Sequence, residues 1–343
     1  MTKPSLYDWT DETSEPIIET NQELPLEFQK CKQFGVPYMG SKNQIVKKLI
    51  EQLPSSKYFV DLFAGGCSMA HGAILSKKYS HFIVNDISDA PSLFLDAING
   101  KFKNETRWIS RDDFFALKDK EPYIRYCWSF GNNGKGYLFG DDVVKYKRAF
   151  WELCMNKNAE SLKEFGFNVD EIATLSTPTE RRKAFRASFK TNQNLEKVKG
   201  TFSTYRFKLE CCPKDFPQKA LVDKLETLQR LERIQELEKL YSQDIKVTQK
   251  SYNEVELPNS NDCIIYLDPP YKDTASYLSG SFNHNEFYDW CIEKAKQGYK
   301  IFISEYDMPS DRFKSIFNVD KIQQLSGTGA GKIKQEHLFV PII

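Results

Sequence analysis

Apolar residues along this chain gather in short runs that stop at polar ones. Tyr58-Phe59-Val60, His81-Phe82-Ile83-Val84, Cys263-Ile264-Ile265-Tyr266-Leu267 and Lys300-Ile301-Phe302-Ile303 are rich in β-branched and aromatic residues and read as strands. Ile245-Lys246-Val247-Thr248 reads as a shorter strand, and His337–Ile343 as an antiparallel one. Between them the period changes. Ile45, Leu49 and Leu53 recur at helical spacing over Asn43–Leu53, and further helices are predicted at Met69–Leu75 and near Asn285–Gln297. Such alternation predicts an α/β protein. It is interrupted between about residues 90 and 245, so a chain of 343 residues is expected to form one large domain with an insertion, or two domains.

The interruption has its own patterns. In Cys127–Gly140 aromatic segments flank Asn132-Asn133-Gly134, a hairpin signal whose tip residues Asn132 and Asn133 are candidates for touching a base; a plain structural hairpin explains them equally well. Leu221, Leu225, Leu228, Leu231, Ile234, Leu237 and Leu240 form a helical stripe that reads as core or as a brace. A coiled-coil dimer ranks behind that reading, since only about three heptads are present.

The chemistry sits where strands end. The run Cys263–Leu267 stops at Asp268-Pro269-Pro270-Tyr271. Proline has no N–H and cannot continue a ladder, so the Asp268 carboxylate, the Pro269 carbonyl and the Tyr271 ring are presented at a strand's C-terminal end, where open α/β sheets bind ligands. A carboxylate, a carbonyl and an aromatic face can together grip a planar amino group. Tyr58–Asp61 runs through Leu62 and Phe63 into the turn Ala64-Gly65-Gly66, where glycine lets backbone approach a ligand closely. This is not a GxGxxG fingerprint. Asp86 follows the second strand and is placed to bond ribose hydroxyls, although a generic βαβ unit has the same pattern. Tyr38-Met39-Gly40-Ser41-Lys42 precedes a helix. Its free N–H groups would suit an anion, with Lys42 adding charge, and an ordinary Ser-capped helix explains the same residues.

Composition changes the picture in one place. The net charge is +1, yet residues 177–219 hold eleven Lys and Arg against four acids, with Arg181, Arg182, Arg186 and Arg206 interleaved among Phe185, Phe189, Phe202, Tyr205 and Phe207. Charge for phosphates and aromatic faces for bases make this segment a nucleic-acid candidate, against the alternative of a solvated face. Residues 1–30 are acidic and polar and read as a flexible arm. The N-terminus does not resemble a secretory signal, and no apolar run reaches about 18 residues, so no transmembrane helix is expected. The eight cysteines show no CxxC spacing, which argues for free thiols in a reducing compartment and against structural zinc.

Taken in order, Tyr38–Lys42, Asp61–Gly66, Asp86 and Asp268–Tyr271 resemble the cofactor and catalytic motifs of Dam-type (D12 class, alpha-group) DNA adenine-N6 methyltransferases. The resemblance implies a Rossmann-like methyltransferase core with a mixed sheet over residues 31–95 and 245–343, and a mainly helical target-recognition insertion over 96–244. It implies S-adenosylmethionine as methyl donor, no metal, and double-stranded DNA as partner. It assigns Asp268, Pro269 and Tyr271 to catalysis, and Tyr38, Lys42, Asp61, Phe63, Gly65, Asp86 and Asp268 to the cofactor. No cofactor contact is carried over to Ser251 and Tyr252, which stand where relatives often have an acid. A cytoplasmic monomer, or failing that a dimer, in a bacterial or phage-infected cell is expected. The competing readings are methylation of another planar nitrogen (cytosine N4, an RNA adenine or a glutamine side chain) and a catalytically inactive DNA-binding relative.

Overall fold

The computed structural model describes residues 24–165, 167–191, 224–231, 244–271, 282–323 and 332–343. Seven strands are formed among them: β1 (Tyr58–Asp61), β2 (His81–Asn85), β3 (Asp244–Thr248), β4 (Cys263–Leu267), β5 (Lys300–Glu305), β6 (Phe313–Gln323) and β7 (Lys332–Pro341). They build one sheet in the order β3-β2-β1-β4-β5-β7-β6. The first five strands in that order pair in parallel, while β7 runs antiparallel to both β5 and β6. This mixed seven-stranded sheet agrees with the Rossmann-like core with a mixed sheet expected from the sequence.

Parallel strands covered on both faces need apolar residues at every position, and β4 (Cys-Ile-Ile-Tyr-Leu) is buried throughout. Strand order reverses between β1 and β4, which makes their C-terminal ends the switch point where ligands bind. The register aligns Asp61 with Tyr266, so Asp61 and Asp268 end adjacent strands.

The chain divides into two units. The first comprises residues 1–36, 40–95 and 234–343 and contains the sheet. The second comprises residues 37–39 and 96–233, and its described residues are mainly helical, with helices at Arg111–Leu117, Pro122–Cys127, Val144–Asn156 and Pro178–Thr191. Its core is aromatic: Trp108, Trp128 and Trp151 pack edge to face, and Trp108 stacks on Phe139.

Several expectations change. The predicted helix over Asn43–Leu53 spans only Val46–Gln52, with Ile45 at its start and no side-chain cap. Residues 1–23 of the expected acidic arm lie outside the described residues, but Leu26–Lys30 is a helix that buries Phe28 against Phe34. The hairpin at Cys127–Gly140 reduces to one antiparallel bridge, Ser129 with Tyr137, closed by a 3-10 turn at Phe130–Asn132. Its aromatics are mostly core: Trp128, Tyr137 and Phe139 are buried, and Phe130 alone of these is exposed. Strand β6 was not anticipated. Of the leucine stripe, residues 224–231 are described; they are helical, and Leu225, Leu228 and Leu231 are buried.

Candidate active site

The turn after β1 is held from three sides. The Gly65 N–H donates to Oδ2 of Asp86 at 2.8 Å, and the Ala64 N–H donates to the Asn85 carbonyl at 2.9 Å, so the end of β2 fixes the turn. The Val36 N–H donates to the Gly66 carbonyl at 2.8 Å, while the Gly35 N–H donates to Nδ1 of His71 at 3.0 Å. Burial pushes the His71 pKa down to about 3, so this imidazole is neutral and its Nδ1 can accept. Gly35 has φ +68°, and a Cβ there would lie 2.1 Å from the Gly66 carbonyl oxygen. Only glycine permits this approach.

Asn85, which the sequence reading passed over, ties three strand ends together. Its amide donates to the carbonyls of Leu62 and Lys250 at 3.1 and 3.0 Å. Its Oδ1 accepts from the Thr248 hydroxyl at 2.8 Å and the Lys250 N–H at 3.0 Å. A buried amide with this many partners is fully satisfied and fixes the turn rigidly.

Two carboxylates face this turn. Oδ1 of Asp86 accepts from the Ser88 N–H at 2.8 Å, so each of its oxygens holds a backbone bond. Burial raises its pKa, opposed by those bonds. Asp61 is buried, and its Oδ1 has no hydrogen-bond partner. Burial first, then the charges of Asp268 and Asp86, push its pKa well up. A buried carboxylate oxygen left without a donor is costly and calls for a cationic or donating group. Phe63 stacks on Tyr252 at 5.3 Å and meets Phe282 and Phe287 edge on, so Tyr252 belongs to the wall beside the turn.

At the ends of β4 and β5 lies a buried charge cluster. Nζ of Lys42 is 2.7 Å from Oδ1 of Asp268 and 2.7 Å from Oε1 of Glu336, and it also donates to the Tyr271 hydroxyl. Glu336 accepts further bonds from the Tyr271 hydroxyl at 2.6 Å and the Ser304 hydroxyl at 2.7 Å, and Lys321 Nζ lies 3.5 Å from its Oε2. The Tyr271 ring packs on Tyr306 with centroids 4.4 Å apart. Burial alone would lower the Lys42 pKa, but the two carboxylates outweigh it and raise it. Asp268 is pushed up to about 6, by burial chiefly, against the pull of Lys42. Glu336 is held low: Lys42 and Lys321 outweigh its burial.

A scan against family models matches residues 38–330 to the D12 class N6 adenine-specific DNA methyltransferase family. The chain belongs to that family. A comparison with curated proteins finds no match. This methyltransferase therefore acts on adenine N6 in DNA at specific sites, and its family implies S-adenosylmethionine as the methyl donor. The competing assignments to cytosine or RNA fall away with that membership.

Site residues expected from the sequence are distributed as follows. Asp61, Phe63, Gly65 and Asp86 surround the Gly turn, and Lys42, Asp268 and Tyr271 meet in the charge cluster. At the Gly-Ser segment, offered as an anion site or an ordinary capped helix, Lys42 is buried among carboxylates and its carbonyl accepts from the Ile45 and Val46 N–H groups ahead of the helix. Tyr38 lies in the second unit, where its ring packs on Tyr126. Arg181 was expected to contact DNA and instead is 2% exposed, its guanidinium donating to the carbonyls of Cys154, Leu175 and Ser176. A guanidinium spent on backbone carbonyls is a brace, so the DNA assignment of Arg181 is withdrawn. Arg182 is half-buried, Arg186 lies on the same helix, and Arg206 falls outside the described residues. At the turn tip, Asn132 has φ +57° and Oδ1 of Asn133 accepts from the Lys135 N–H. Among the described residues there is no cluster of three or more potential metal ligands and no helix long and apolar enough to cross a membrane.

Glu336, Ser304 and Lys321 had escaped the sequence reading. Glu336 sits in a polar stretch, Lys332-Ile333-Lys334-Gln335-Glu336-His337, and shares its strand face with buried Leu338 and Val340. That period of two is the one signal that could have marked it as inward-facing.

Proposed function

We propose that Asp268, the Pro269 carbonyl and Tyr271 receive the target adenine, and that Asp61, Phe63, Gly65 and Asp86 hold the methyl donor. The observation that carries this reading is Asp268 itself. It is gripped on Oδ1 by Lys42 yet keeps 20% of its side chain exposed, so a carboxylate oxygen remains open to an amino group.

The nitrogen at adenine N6 is a poor nucleophile because its lone pair is delocalised into the ring. In this reading Asp268 and the Pro269 carbonyl accept its two N–H bonds and aim the lone pair, and orientation supplies much of the acceleration. As N6 forms its new bond it must lose a proton, and the Asp268 carboxylate is placed to take it. With its pKa near 6, Asp268 is largely ionised at neutral pH and able to accept. A base can reach this site only by leaving the duplex. Tyr271 supports the stacked base, and its hydroxyl, fixed by Lys42 and Glu336, sets the plane of the ring.

The chain's residues suit S-adenosylmethionine. The unpartnered Oδ1 of Asp61 matches the ammonium of a methionine moiety, and the Asp86 carboxylate, held by the Gly65 and Ser88 N–H groups at the end of β2, matches ribose hydroxyls. When bound, that cofactor supplies an electrophilic methyl group on a sulfonium. Phe63 and Tyr252 offer apolar surface beside the turn. Tyr38 is included in the proposal on family resemblance alone.

DNA contact falls in this reading to the second unit. Asn132, Asn133 and the exposed ring of Phe130, 64% accessible, are its readers, with Arg182, Arg186 and Arg206 as phosphate contacts. A monomer acting in the cytoplasm completes the reading, since the described part of the leucine stripe is already buried within the chain. The test is methyl transfer by Asp268→Ala. Purified variant and parent are compared with tritiated cofactor on adenine-containing duplex DNA. Loss of transfer with DNA binding retained is expected, and near-normal turnover would overturn the assignment.

A further inference from the structure

Glu336 is the most heavily engaged carboxylate of the site and lies beyond residue 330, where the match to the family ends. Its side chain is fully buried (0% exposed). One oxygen takes the Lys42 ammonium and the hydroxyls of Tyr271 and Ser304; the other faces Lys321. Both partners that touch the expected adenine position, Lys42 on Asp268 and Tyr271 itself, are thus anchored on the same residue of β7. The strand can place it there because β7 runs antiparallel beside β5, with Glu305 opposite His337 and Ser304 opposite Leu338.

The charges sharpen this. Lys42 would bind Asp268 at full strength if it had no other anion. A carboxylate saturated by an ammonium is a weaker acceptor for an amino N–H and a weaker base. Glu336 holds that ammonium at the same 2.7 Å as Asp268 does, so the two carboxylates share it. We propose that Glu336 is a positioning residue for methyl transfer: it shares Lys42 with Asp268 so that Asp268 stays basic, and it fixes the Tyr271 hydroxyl so that the ring stands ready for the base. The proposal rests on Asp268 and Tyr271 being the adenine-receiving residues.

The groups that face Asp268 are Lys42 from the N-terminal segment, Asp61 from β1, Tyr266 from β4, Lys321 from β6 and Glu336 from β7, with Tyr271 following in its own loop. Of these, Glu336 adds a negative charge that raises the Asp268 pKa and Lys42 lowers it. Removing the Glu336 charge therefore moves Asp268 in one direction, downward, by both routes.

The experiment compares the pH profile of methyl transfer for the parent, Glu336→Gln and Ser304→Ala, with 13C NMR titration of the Asp268 carboxyl assigned by its absence in Asp268→Asn. Glu336→Gln keeps the shape and the hydroxyl contacts but not the charge. It is expected to shift the acid limb and the Asp268 titration to lower pH and to lower kcat by up to about a hundredfold, the loss a small misplacement brings. KM for DNA and cofactor should change little, and Ser304→Ala, with the charge intact, should leave the limb in place. Should Glu336→Gln not fold, Glu336→Asp decides instead: its shorter reach weakens the hold on Lys42, and the limb must still move down. An unchanged limb and titration, or a shifted titration with parental kcat, overturns the proposal while an active parent leaves the reading of Asp268 standing. A parent protein that transfers no methyl group overturns that reading, and the proposal with it.

Discussion

Lys42, from the segment before the Val46–Gln52 helix, and Asp268, just after β4, meet at 2.7 Å in a buried cluster. An ion pair removed from water loses most of its hydration, and only close geometry with further hydrogen bonds offsets that. Here Glu336, Tyr271 and Ser304 supply those bonds. Burial still dominates at Asp268 and holds its carboxyl near a pKa of 6.

This sets a pH dependence. A raised carboxyl pKa means that Asp268 gains its proton earlier as pH falls than a free aspartate would. The protonated form cannot accept the N6 bond at that oxygen or take up the N6 proton. Methyl transfer, measured as kcat/KM across pH, should therefore be full at pH 7.5 or so and fall as pH drops through about 6. A limb near the ordinary aspartate value, about 4, would show that Asp268 is not the titrating acceptor.

Asp61 offers a separate prediction. Its buried Oδ1 has no partner, and burial with the neighbouring charges of Asp268 and Asp86 disfavours its ionised form. Asp61→Asn removes that charge at nearly constant shape. Equilibrium binding of S-adenosylmethionine should weaken by on the order of tenfold or more, about 1.4 kcal/mol per tenfold. Thermal unfolding of the ligand-free protein should not fall, since a disfavoured charge has been removed. Unchanged cofactor affinity would mean that the Oδ1 position does not receive the ammonium.

These sites were legible in unequal measure. Asp268 and Asp86 announce themselves because a strand's apolar run and its terminating residues are adjacent in sequence, and the sheet then brings their ends together. Glu336 was not legible, because its meaning lies in a long-range pairing: only the antiparallel register of β7 against β5 turns a polar-looking glutamate toward Lys42. Arg181 was misread for a related reason. A basic residue in a basic segment looks like a surface charge, and nothing local records that three carbonyls at the ends of neighbouring helices need a donor. Asn85, a polar residue closing an apolar strand, drew no notice in the sequence and is the knot of three strand ends.

Gly35 tests whether the Gly turn must be clamped from outside. Alanine at φ +68° is strained by itself, at a cost of order 1 kcal/mol or more. Its Cβ would in addition strike the Gly66 carbonyl oxygen and the Ser68 N, both backbone atoms that cannot swing away. Gly35→Ala should displace the turn, lower the melting temperature and abolish measurable cofactor binding at concentrations that saturate the parent. Calorimetric binding and thermal unfolding read the two effects. Parental affinity in Gly35→Ala would show that the segment before Lys42 does not set the turn.

Arg181 separates a structural arginine from a DNA contact on one helix. Burial lowers its pKa, yet its guanidinium remains charged at neutral pH and answers the Cys154, Leu175 and Ser176 carbonyls, with Nε 2.7 Å from the first. Arg181→Met keeps much of the apolar stem and removes every one of those donors. Each buried acceptor left without a partner costs about 1–3 kcal/mol, so the second unit should lose roughly 3 kcal/mol or more. Because the guanidinium is inside, it neutralises no phosphate, and its loss leaves counterion release unchanged. The slope of log affinity against log salt for duplex DNA, measured below the variant's melting temperature, should match the parent. Lys183, exposed on the same helix, is the contrast. If that face meets DNA, Lys183→Ala should keep parental stability and reduce the salt slope by about one. A reduced slope in Arg181→Met, with parental stability, would return Arg181 to the DNA surface.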